Sequence, residues 1–304
     1  MRRFLALLPL LCGCLVAHEE PAVRGLPRDD RAAPLSAVWV GHATVLLRIG
    51  NRTVLTDPNL GGAILVVPRE TPASLRPSEL PRIDVAVISH MHLDHFDAKT
   101  VRQLGPGPAV LFPEGGQEYA DEILQPRKRA MKTWESVEIA GLTITAVPAR
   151  HQGGRYGIDT LWNHASAGYV IEGAGRRVYF AGDTGYDPRM FREIGARFPG
   201  IDLAFIPIAP ARAGRTSDRW GHASPEEALD IFRDVGARAM VPIHFEAYFS
   251  RGRDHGVPRR RLMAEVQRRG LSDRVFALHT GEGIALGDGL PRILGEDAAR
   301  VAGR

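Results

Sequence analysis

His90-Met91-His92-Leu93-Asp94-His95 places three histidines and an aspartate within one six-residue segment. The segment directly follows Asp84–Ser89, a compact apolar run that predicts a buried strand ending in a loop. Neutral imidazole and carboxylate are good ligands for borderline metals such as zinc. The His-x-His pair can point both rings at one ion, while the Asp-His pair can turn toward a second ion beside it. The segment therefore predicts a metal site at the end of a strand.

Further ligands must come from elsewhere in the chain, because each ion needs about three protein ligands and a water. Suitable donors follow other apolar runs that predict strands, at the point where a strand delivers a side chain to the edge of its sheet. These donors are His151 after Thr143–Val147, Asp183 after Arg177–Ala181, and His244 after Ala239–Ile243. The two cysteines, Cys12 and Cys14, both lie close to the first residue. We therefore expect ligands of the His, Asp and Glu types.

Short β-rich runs mix with helical segments along the whole chain, and hairpin-like strand pairs occur in both halves. This order favours an α/β (α+β) sandwich of two sheets with helices outside over a doubly wound parallel sheet. Besides the runs already named, strands are predicted at Ala37–Val40, Thr44–Ile49, Thr53–Thr56, Gly168–Glu172, Leu203–Pro207 and Val275–Leu278. Helices are predicted at Ala98–Leu104, Gly116–Leu124 and Arg189–Phe198, and from Ser224, where a Ser cap precedes proline and two glutamates.

The composition of the 304-residue chain is ordinary for a globular protein, with 44% hydrophobic and 24% charged residues. The net charge of +4 is a mild excess and gives no indication of nucleic-acid binding. One basic run, Pro258–Arg261, indicates the solvated face of a helix, or alternatively a patch for an anionic ligand or a membrane.

The N-terminal segment has the features of an export signal. Arg2 and Arg3 precede Phe4–Leu11, an apolar stretch that is typical of a signal peptide and too short for a transmembrane helix. Leu11-Cys12-Gly13-Cys14 resembles a bacterial lipobox, which places the lipidated cysteine at Cys14. A plain secretory signal with incidental cysteines is the alternative.

These features divide the chain into segments. Residues 1–17 form the signal, residues 18–36 a tether rich in Pro, Arg and Ala, residues 37–286 the domain that carries the metal site, and residues 287–304 a tail without an assigned role. We expect an exported protein of the cell envelope. It is either lipid-anchored, in the outer membrane if the source is a diderm bacterium, or periplasmic.

Several motifs make the chain similar to the metallo-β-lactamase superfamily, and within it to the N-acylphosphatidylethanolamine-hydrolysing phospholipase D group. They are spread over about residues 37 to 285, so the resemblance covers nearly the whole predicted domain. The motifs are Trp39–Thr44, Leu55–Pro58, Ile88–His95, Phe180–Tyr186, Phe205–Ile208, His222 with Pro225–Ala228, and Ile243-His244.

The resemblance implies an αββα sandwich with a two-metal site at one edge. It assigns His90, His92 and His151 to the first ion, assigns Asp94, His95 and His244 to the second, and makes Asp183 the bridge between them. Zinc is favoured by ligand type, although iron or manganese can occupy such sites. A hydroxide shared by the two ions would be the nucleophile, with Asp94 among the catalytic residues.

The resemblance further implies a metal-dependent phosphodiesterase acting on a phospholipid such as an N-acylphosphatidylethanolamine, at a membrane that the lipid anchor reaches. A lactonase or other carboxylic-ester hydrolase is the alternative with the same metal pair. A metal-binding envelope protein without turnover is the alternative of another class, although a purely structural site needs no second ion.

Other residues near these motifs have open roles. Asp57, which ends a strand before Pro58, is predicted to orient a metal-bound histidine, or else simply forms a turn. His222 acts on the leaving group or is a structural residue near a helix cap. His42 is a packed core histidine or supports a ligand from behind. The apolar run 63–68 is predicted to be either a buried strand or the lining of a groove for acyl chains.

Overall fold

Two mixed β-sheets form the centre of the protein in a computed structural model that describes residues 23–27, 33–210, 221–248 and 255–294. Sixteen strands occur within these residues. In chain order they are β1 (Leu35–Gly41), β2 (Thr44–Ile49), β3 (Arg52–Thr56), β4 (Ala63–Ile64), β5 (Val67–Pro68), β6 (Val85–Val87), β7 (Ala109–Pro113), β8 (Lys128–Met131), β9 (Ser136–Ile139), β10 (Leu142–Pro148), β11 (Ala167–Gly173), β12 (Arg176–Phe180), β13 (Leu203–Pro207), β14 (Ala239–Ile243), β15 (Gly283–Leu286) and β16 (Arg292–Leu294).

The first sheet has eight strands in the order β16-β15-β1-β2-β3-β6-β7-β8, and the second has six in the order β14-β13-β12-β11-β10-β9. β4 and β5 form a separate short hairpin. Alternate residues of β6 and of the position after it show how the layers are arranged. Val85 and Val87 join a core shared with the second sheet, while Ala86 and Ile88 join a cluster on the outer face. The sheets therefore pack face to face.

Helices cover the outer faces of the two sheets. α1 (Ala98–Gln103) contributes Val101 to the apolar cluster outside the first sheet. α2 (Pro188–Arg197), α3 (Pro225–Asp234) and α4 (Val257–Arg269) pack beside one another, with α3 against β13. Three 3-10 helices occur among the described residues, at Pro77–Glu79, Gly116–Glu122 and Ile158–Leu161. The layers are thus αββα, which confirms the predicted fold class.

The strand directions explain where the site lies. β10, β12, β13 and β14 run the same way, because β11 is antiparallel to both β10 and β12 and the following pairs are parallel. In the first sheet, β1, β3 and β6 also share one direction. A bridge between His90 and Ser166 joins the two sheets beside the start of β11. The carboxyl ends of six site-bearing strands therefore meet at one edge of the sandwich.

Several predicted elements differ from the observed ones. Val275–Leu278 was expected to be a strand, but it makes only a single bridge, from Val275 to Met240, before the chain turns away. The helix expected at Gly116–Leu124 is a 3-10 helix that ends at Glu122. The run 63–68 forms the β4–β5 hairpin, but the prediction of a buried strand is wrong for its turn, where Leu65 is 82% and Val66 93% exposed.

The first sheet also extends past the predicted domain bounds of residues 37 and 286. β1 begins at Leu35, and β16 pairs with β15 and covers its outer edge. Pro258–Arg261 lies in the first turns of α4. Arg260 is exposed, but Pro258 is buried, Arg259 donates to the Leu278 carbonyl and Arg261 pairs with Glu226, so the solvated face expected there is only partly exposed. None of the described helices is both long and apolar enough to cross a bilayer.

Candidate metal centre

Three imidazoles form the first group of candidate ligands. Nε2 of His90 lies 2.9 Å from Nδ1 of His92, and Nε2 of His151 lies 3.3 Å from the same atom. His90 and His92 follow β6, and His151 follows β10 in the other sheet. Three ring nitrogens that face one another across the sandwich form the donor set that a single divalent cation can bind.

The second group combines a carboxylate with two imidazoles. Oδ2 of Asp94 lies 3.6 Å from Nε2 of His95 and 3.5 Å from Nε2 of His244. Asp94 and His95 complete the loop after β6, and His244 directly follows β14. His42, which follows β1, borders the same group through its Nε2, 3.1 Å from Oδ2 of Asp94.

Asp183 lies between the two groups. Its Oδ2 is 3.0 Å from Nε2 of His244 and 3.3 Å from Nε2 of His95 in the second group. The same oxygen is 3.9 Å from Nε2 of His151 in the first group. A single carboxylate therefore contacts both groups, as a bridging ligand must.

The polar atoms of the site fit a bound cation better than a closed hydrogen-bond network. Within the described part of the chain, Nε2 of His95, Nε2 of His244 and Oδ1 of Asp183 are buried without a hydrogen-bond partner. Buried polar atoms are normally satisfied, because leaving one unpaired costs free energy. Coordination to a divalent ion would satisfy all three.

Hydrogen bonds behind the site fix which ring nitrogen of His90 and of His95 faces the centre. The buried carboxylate of Asp57 accepts hydrogen bonds from Nδ1 of His95 (2.6 Å), the Ser89 amide (2.6 Å) and the Ser89 hydroxyl (2.7 Å). Since the only hydrogen of that hydroxyl is donated to Asp57, Ser89 Oγ accepts from Nδ1 of His90, 2.9 Å away. His90 and His95 are thereby both held with Nε2 toward the site.

A backbone carbonyl acts in the same way on His151. Nδ1 of His151 donates to the Gly221 carbonyl oxygen over 3.1 Å, which leaves Nε2 as the acceptor at the centre. A Cβ on Gly221 would lie 2.2 Å from the Arg150 carbonyl oxygen, so this approach requires glycine. Asp57 was among the residues predicted from the sequence, whereas Ser89 and the Gly221 carbonyl were not.

The pKa values of the two groups move in opposite directions. Burial lowers the pKa of His151 to about 3, although Asp183 opposes the shift. Burial also lowers the pKa of His90 well below its usual value, and neighbouring histidines reinforce this. Burial alone would lower the pKa of His95 as well, but Asp183, Asp94 and Asp57 outweigh it and raise that pKa well above the usual value. The first group therefore offers neutral rings, and the second pairs histidines with carboxylates.

The two aspartates of the site stay ionised. Burial alone would raise the pKa of Asp183, but His244 and His95 outweigh burial and hold that pKa well below the usual range. Burial acts against ionisation of Asp94 in the same way, and His95, His244 and His42 together hold its pKa well below the usual range. Ionised carboxylates at both positions supply the negative charge that offsets two cations.

The backbone at the site is strained at three non-glycine residues. His42, Asp57 and His244 adopt positive φ angles of 57°, 35° and 63°. Such conformations cost of order 1 kcal/mol or more each and occur mainly where function over-determines the geometry. All three residues directly follow a strand at the site edge.

The structure brings together all seven residues predicted as metal ligands: His90, His92, Asp94, His95, His151, Asp183 and His244. It also places His222, predicted to be catalytic, beside them, with Nε2 3.5 Å from Oδ2 of Asp183 and a side chain 19% exposed. The roles assigned to these residues stay predictions. Cys14 lies outside the described residues, as does the rest of the predicted signal.

Comparison with known proteins gives the family. A family model described as a beta-lactamase superfamily domain matches residues 52–245, more than half of the chain. The chain belongs to this superfamily. The match contains all seven candidate ligands, and it ends one residue after His244.

Relatives agree with the predicted resemblance. An uncharacterised protein of Mycobacterium tuberculosis is 35% identical over 252 residues, which cover 78% of this chain and 65% of that protein. The N-acyl-phosphatidylethanolamine-hydrolyzing phospholipase D 1 of Caenorhabditis elegans is 32% identical over 254 residues, covering 74% and 68%. The chain thus spans about two thirds of the length of these curated relatives.

A solved structure confirms the fold. The metallo hydrolase Igni18 from Ignicoccus hospitalis superposes with a TM-score of 0.64 at 18% identity, covering 84% of this chain and 99% of that one. The superfamily and the His/Asp groups together support a metal-dependent hydrolase.

Proposed function

We propose that the protein is a binuclear metal-dependent phosphodiesterase of the phospholipase D type, acting on N-acylphosphatidylethanolamine-like lipids. The observation that carries the two-metal part is the position of Asp183, whose Oδ2 lies within 3.3 Å of His95 and His244 and 3.9 Å from His151. The similarity to the phospholipase D of C. elegans supports the reaction type.

Two divalent ions at this site would lower the pKa of a bound water and polarise the phosphoryl group. The residues of the chain supply the rest. Asp57, Ser89 and the Gly221 carbonyl keep the ligand rings oriented from behind. The His222 side chain is 19% exposed, against 2% for Asp183 and 1% for His151 beside it, so its imidazole can reach a substrate and exchange a proton with the leaving group.

Exposed apolar side chains border the site on two sides and support a lipid substrate. We call Leu65, Val66, Ile158, Leu161 and Trp162 the apolar rim; each is at least 61% exposed. The β4–β5 hairpin is tied to the metal site because Ile64 packs with Leu93 and Tyr248. The 158–162 segment is tied to it because Arg155 donates to the Met91 and Phe96 carbonyls. Clustered exposed apolar residues mark surfaces for lipids or other apolar ligands.

The test is an assay of zinc-loaded, detergent-solubilised protein on N-acylphosphatidylethanolamine in mixed micelles. We expect release of phosphatidic acid and the N-acylethanolamine, and loss of both products after chelation and in His90→Ala. A panel of lactones, carboxylic esters and β-lactams run in parallel separates the alternative reactions. Turnover of lactones without any phosphodiester turnover would contradict the proposal and favour a lactonase. Two bound ions without turnover of any substrate would favour a non-catalytic binding protein.

Export and anchoring through Cys14 are a further part of the proposal. The lipobox-like sequence Leu11–Cys14 supports it. Metabolic labelling of the full chain with a fatty acid should mark the wild type and not Cys14→Ser, while Cys12→Ser should remain labelled. Unlabelled wild type recovered from the periplasm would show a plain secretory signal instead.

A further inference from the structure

Arg155 contacts the loop of residues 90–96, which carries four of the seven candidate ligands and which we call the metal loop. Its side chain is 5% exposed. Nη1 donates to the Met91 carbonyl over 3.1 Å and to the Phe96 carbonyl over 2.9 Å. These carbonyls lie at the two ends of the stretch that contains His92, Asp94 and His95. A single guanidinium nitrogen thus joins both ends of this stretch.

Other contacts hold the guanidinium itself in place. Nε and Nη2 donate to the two carboxylate oxygens of Glu122 over 2.8 and 2.9 Å, a bidentate pair between planar groups. The guanidinium carbon lies 4.5 Å from the centre of the Phe96 ring. Lysine cannot reproduce this arrangement, because its ammonium is a point donor that cannot form the planar fork.

The backbone of the same residue is anchored as well. The Arg155 amide donates to Oδ2 of Asp159 over 2.7 Å, and that carboxylate also accepts from the Tyr156 amide and from the Tyr119 hydroxyl. Asp159 lies in the 3-10 helix that carries Ile158 and Leu161 of the apolar rim. Arg155 therefore connects the rim segment to the metal loop, because its backbone amide bonds to Asp159 and its guanidinium bonds to the loop carbonyls.

We infer that Arg155 is a positioning residue that sets the geometry of the metal loop and thereby the affinity of the site for its ions. Without the guanidinium, two buried carbonyls of the loop lose their donor, and the loop can relax by more than the small tolerance that ligand geometry allows. The inference concerns metal binding and holds whichever ester the protein hydrolyses.

The experiment compares Arg155→Lys with Arg177→Lys. Arg177 is a matched control on β12: it pairs with Glu172, donates to the Pro199 carbonyl and lies 6.0 Å from the Phe198 ring. Zinc affinity is measured by competition with a chromophoric chelator, and the cobalt-substituted proteins give absorption spectra that report ligand geometry. Melting temperatures of the metal-free proteins report stability alone.

We expect Arg155→Lys to bind zinc about 10–100-fold more weakly and to change the cobalt spectrum. Arg177→Lys should leave both unchanged, because Arg177, with a side chain 26% exposed, makes the same types of contact away from the metal loop. Glu122→Gln, which keeps an acceptor but removes the charge, should give an intermediate loss and decides the matter if Arg155→Lys does not fold. Wild-type zinc affinity and an unchanged cobalt spectrum in folded Arg155→Lys or Glu122→Gln would overturn the inference.

Discussion

Nδ1 of His95 lies 2.6 Å from Oδ2 of Asp57, and both side chains are fully buried. The same carboxylate holds the Ser89 hydroxyl, which in turn accepts a hydrogen bond from His90. Asp57, the residue after β3, therefore orients one candidate ligand of each group: His95 directly, and His90 through Ser89. Its contribution to the site is electrostatic and directional, although it does not itself face the centre.

Asp57→Asn should weaken binding of both ions, because an amide is a poorer acceptor for the His95 and Ser89 donors and can present an N–H to one of them. We expect a loss of about 10–100-fold in zinc affinity for each ion, measured by chelator competition. Asp187→Asn is the control, since the Asp187 carboxylate caps α2 by accepting from the Arg189 and Met190 amides and asparagine caps nearly as well. Equal zinc affinities in both variants would remove Asp57 from this role.

Ser89→Ala should affect the two ions unequally. The substitution removes the acceptor for Nδ1 of His90 but leaves the His95–Asp57 bond in place. We expect the ion of the His90, His92 and His151 group to bind more weakly, while the other ion keeps its affinity within a factor of about three. Stepwise metal titration followed by mass spectrometry of the intact protein measures both. A parallel loss of the two ions would contradict the relay through Ser89.

The sequence predicted the ligands because their signals are local. His90–His95 stands directly after an apolar run, and His151, Asp183 and His244 each follow another one. The parallel directions of their strands then bring these residues to one edge. Ser89 could have been noticed, since it lies between the strand and the first ligand. Arg155 could not, because the partners of its guanidinium are 33 to 64 residues away along the chain and no spacing rule joins them.

The errors in the predicted elements have physical causes of the same kind. Val275–Leu278 has the composition of a strand, but only its first residue pairs with β14. The turn residues Leu65 and Val66 are apolar and nevertheless exposed, which propensity alone does not predict. Which strand a segment pairs with, and which of its side chains face solvent, depend on the tertiary structure. The first decided the case of Val275–Leu278, and the second decided the case of Leu65 and Val66.

Gly182→Ala should destabilise the protein through contact with Ser89. Gly182 has a φ of +60°, and a Cβ there would lie 2.4 Å from Cβ of Ser89. Gly175→Ala is the matched control, because Gly175 has a φ of +71° and no atom within 4 Å of its added Cβ. In both variants an alanine must adopt a positive φ, which costs about 1–2 kcal/mol. The contact with Ser89 should lower the free energy of unfolding of Gly182→Ala by about 1–3 kcal/mol more. Denaturant unfolding of the metal-free proteins measures the difference, and equal losses would show that Ser89 moves aside without cost.

Removal of metal should lower the stability of the wild type, because ions that bind only the folded state stabilise it by mass action. At a free zinc concentration about 100 times the dissociation constant, the expected gain is about 2.7 kcal/mol for each ion. Melting curves at stepped zinc concentrations, with and without chelator, give the dependence. His90→Ala and His244→Ala should each retain about half of the metal content. A melting temperature independent of zinc would mean that the buried donors do not bind it in the native state.

Substitutions in the apolar rim should separate binding to a lipid surface from chemistry. Leu161→Ser with Trp162→Ser removes two side chains that are 71% and 61% exposed, so the folded state should lose little stability. Leu290→Ser is the control, since Leu290 is 81% exposed and lies in the β15–β16 turn, at the sandwich edge opposite the site. On micellar N-acylphosphatidylethanolamine we expect the double variant to raise KM several-fold. Its turnover of a small water-soluble phosphodiester should be unchanged. Loss of turnover on both substrates would instead place the two residues in support of the metal site, since Arg155 links their segment to the metal loop.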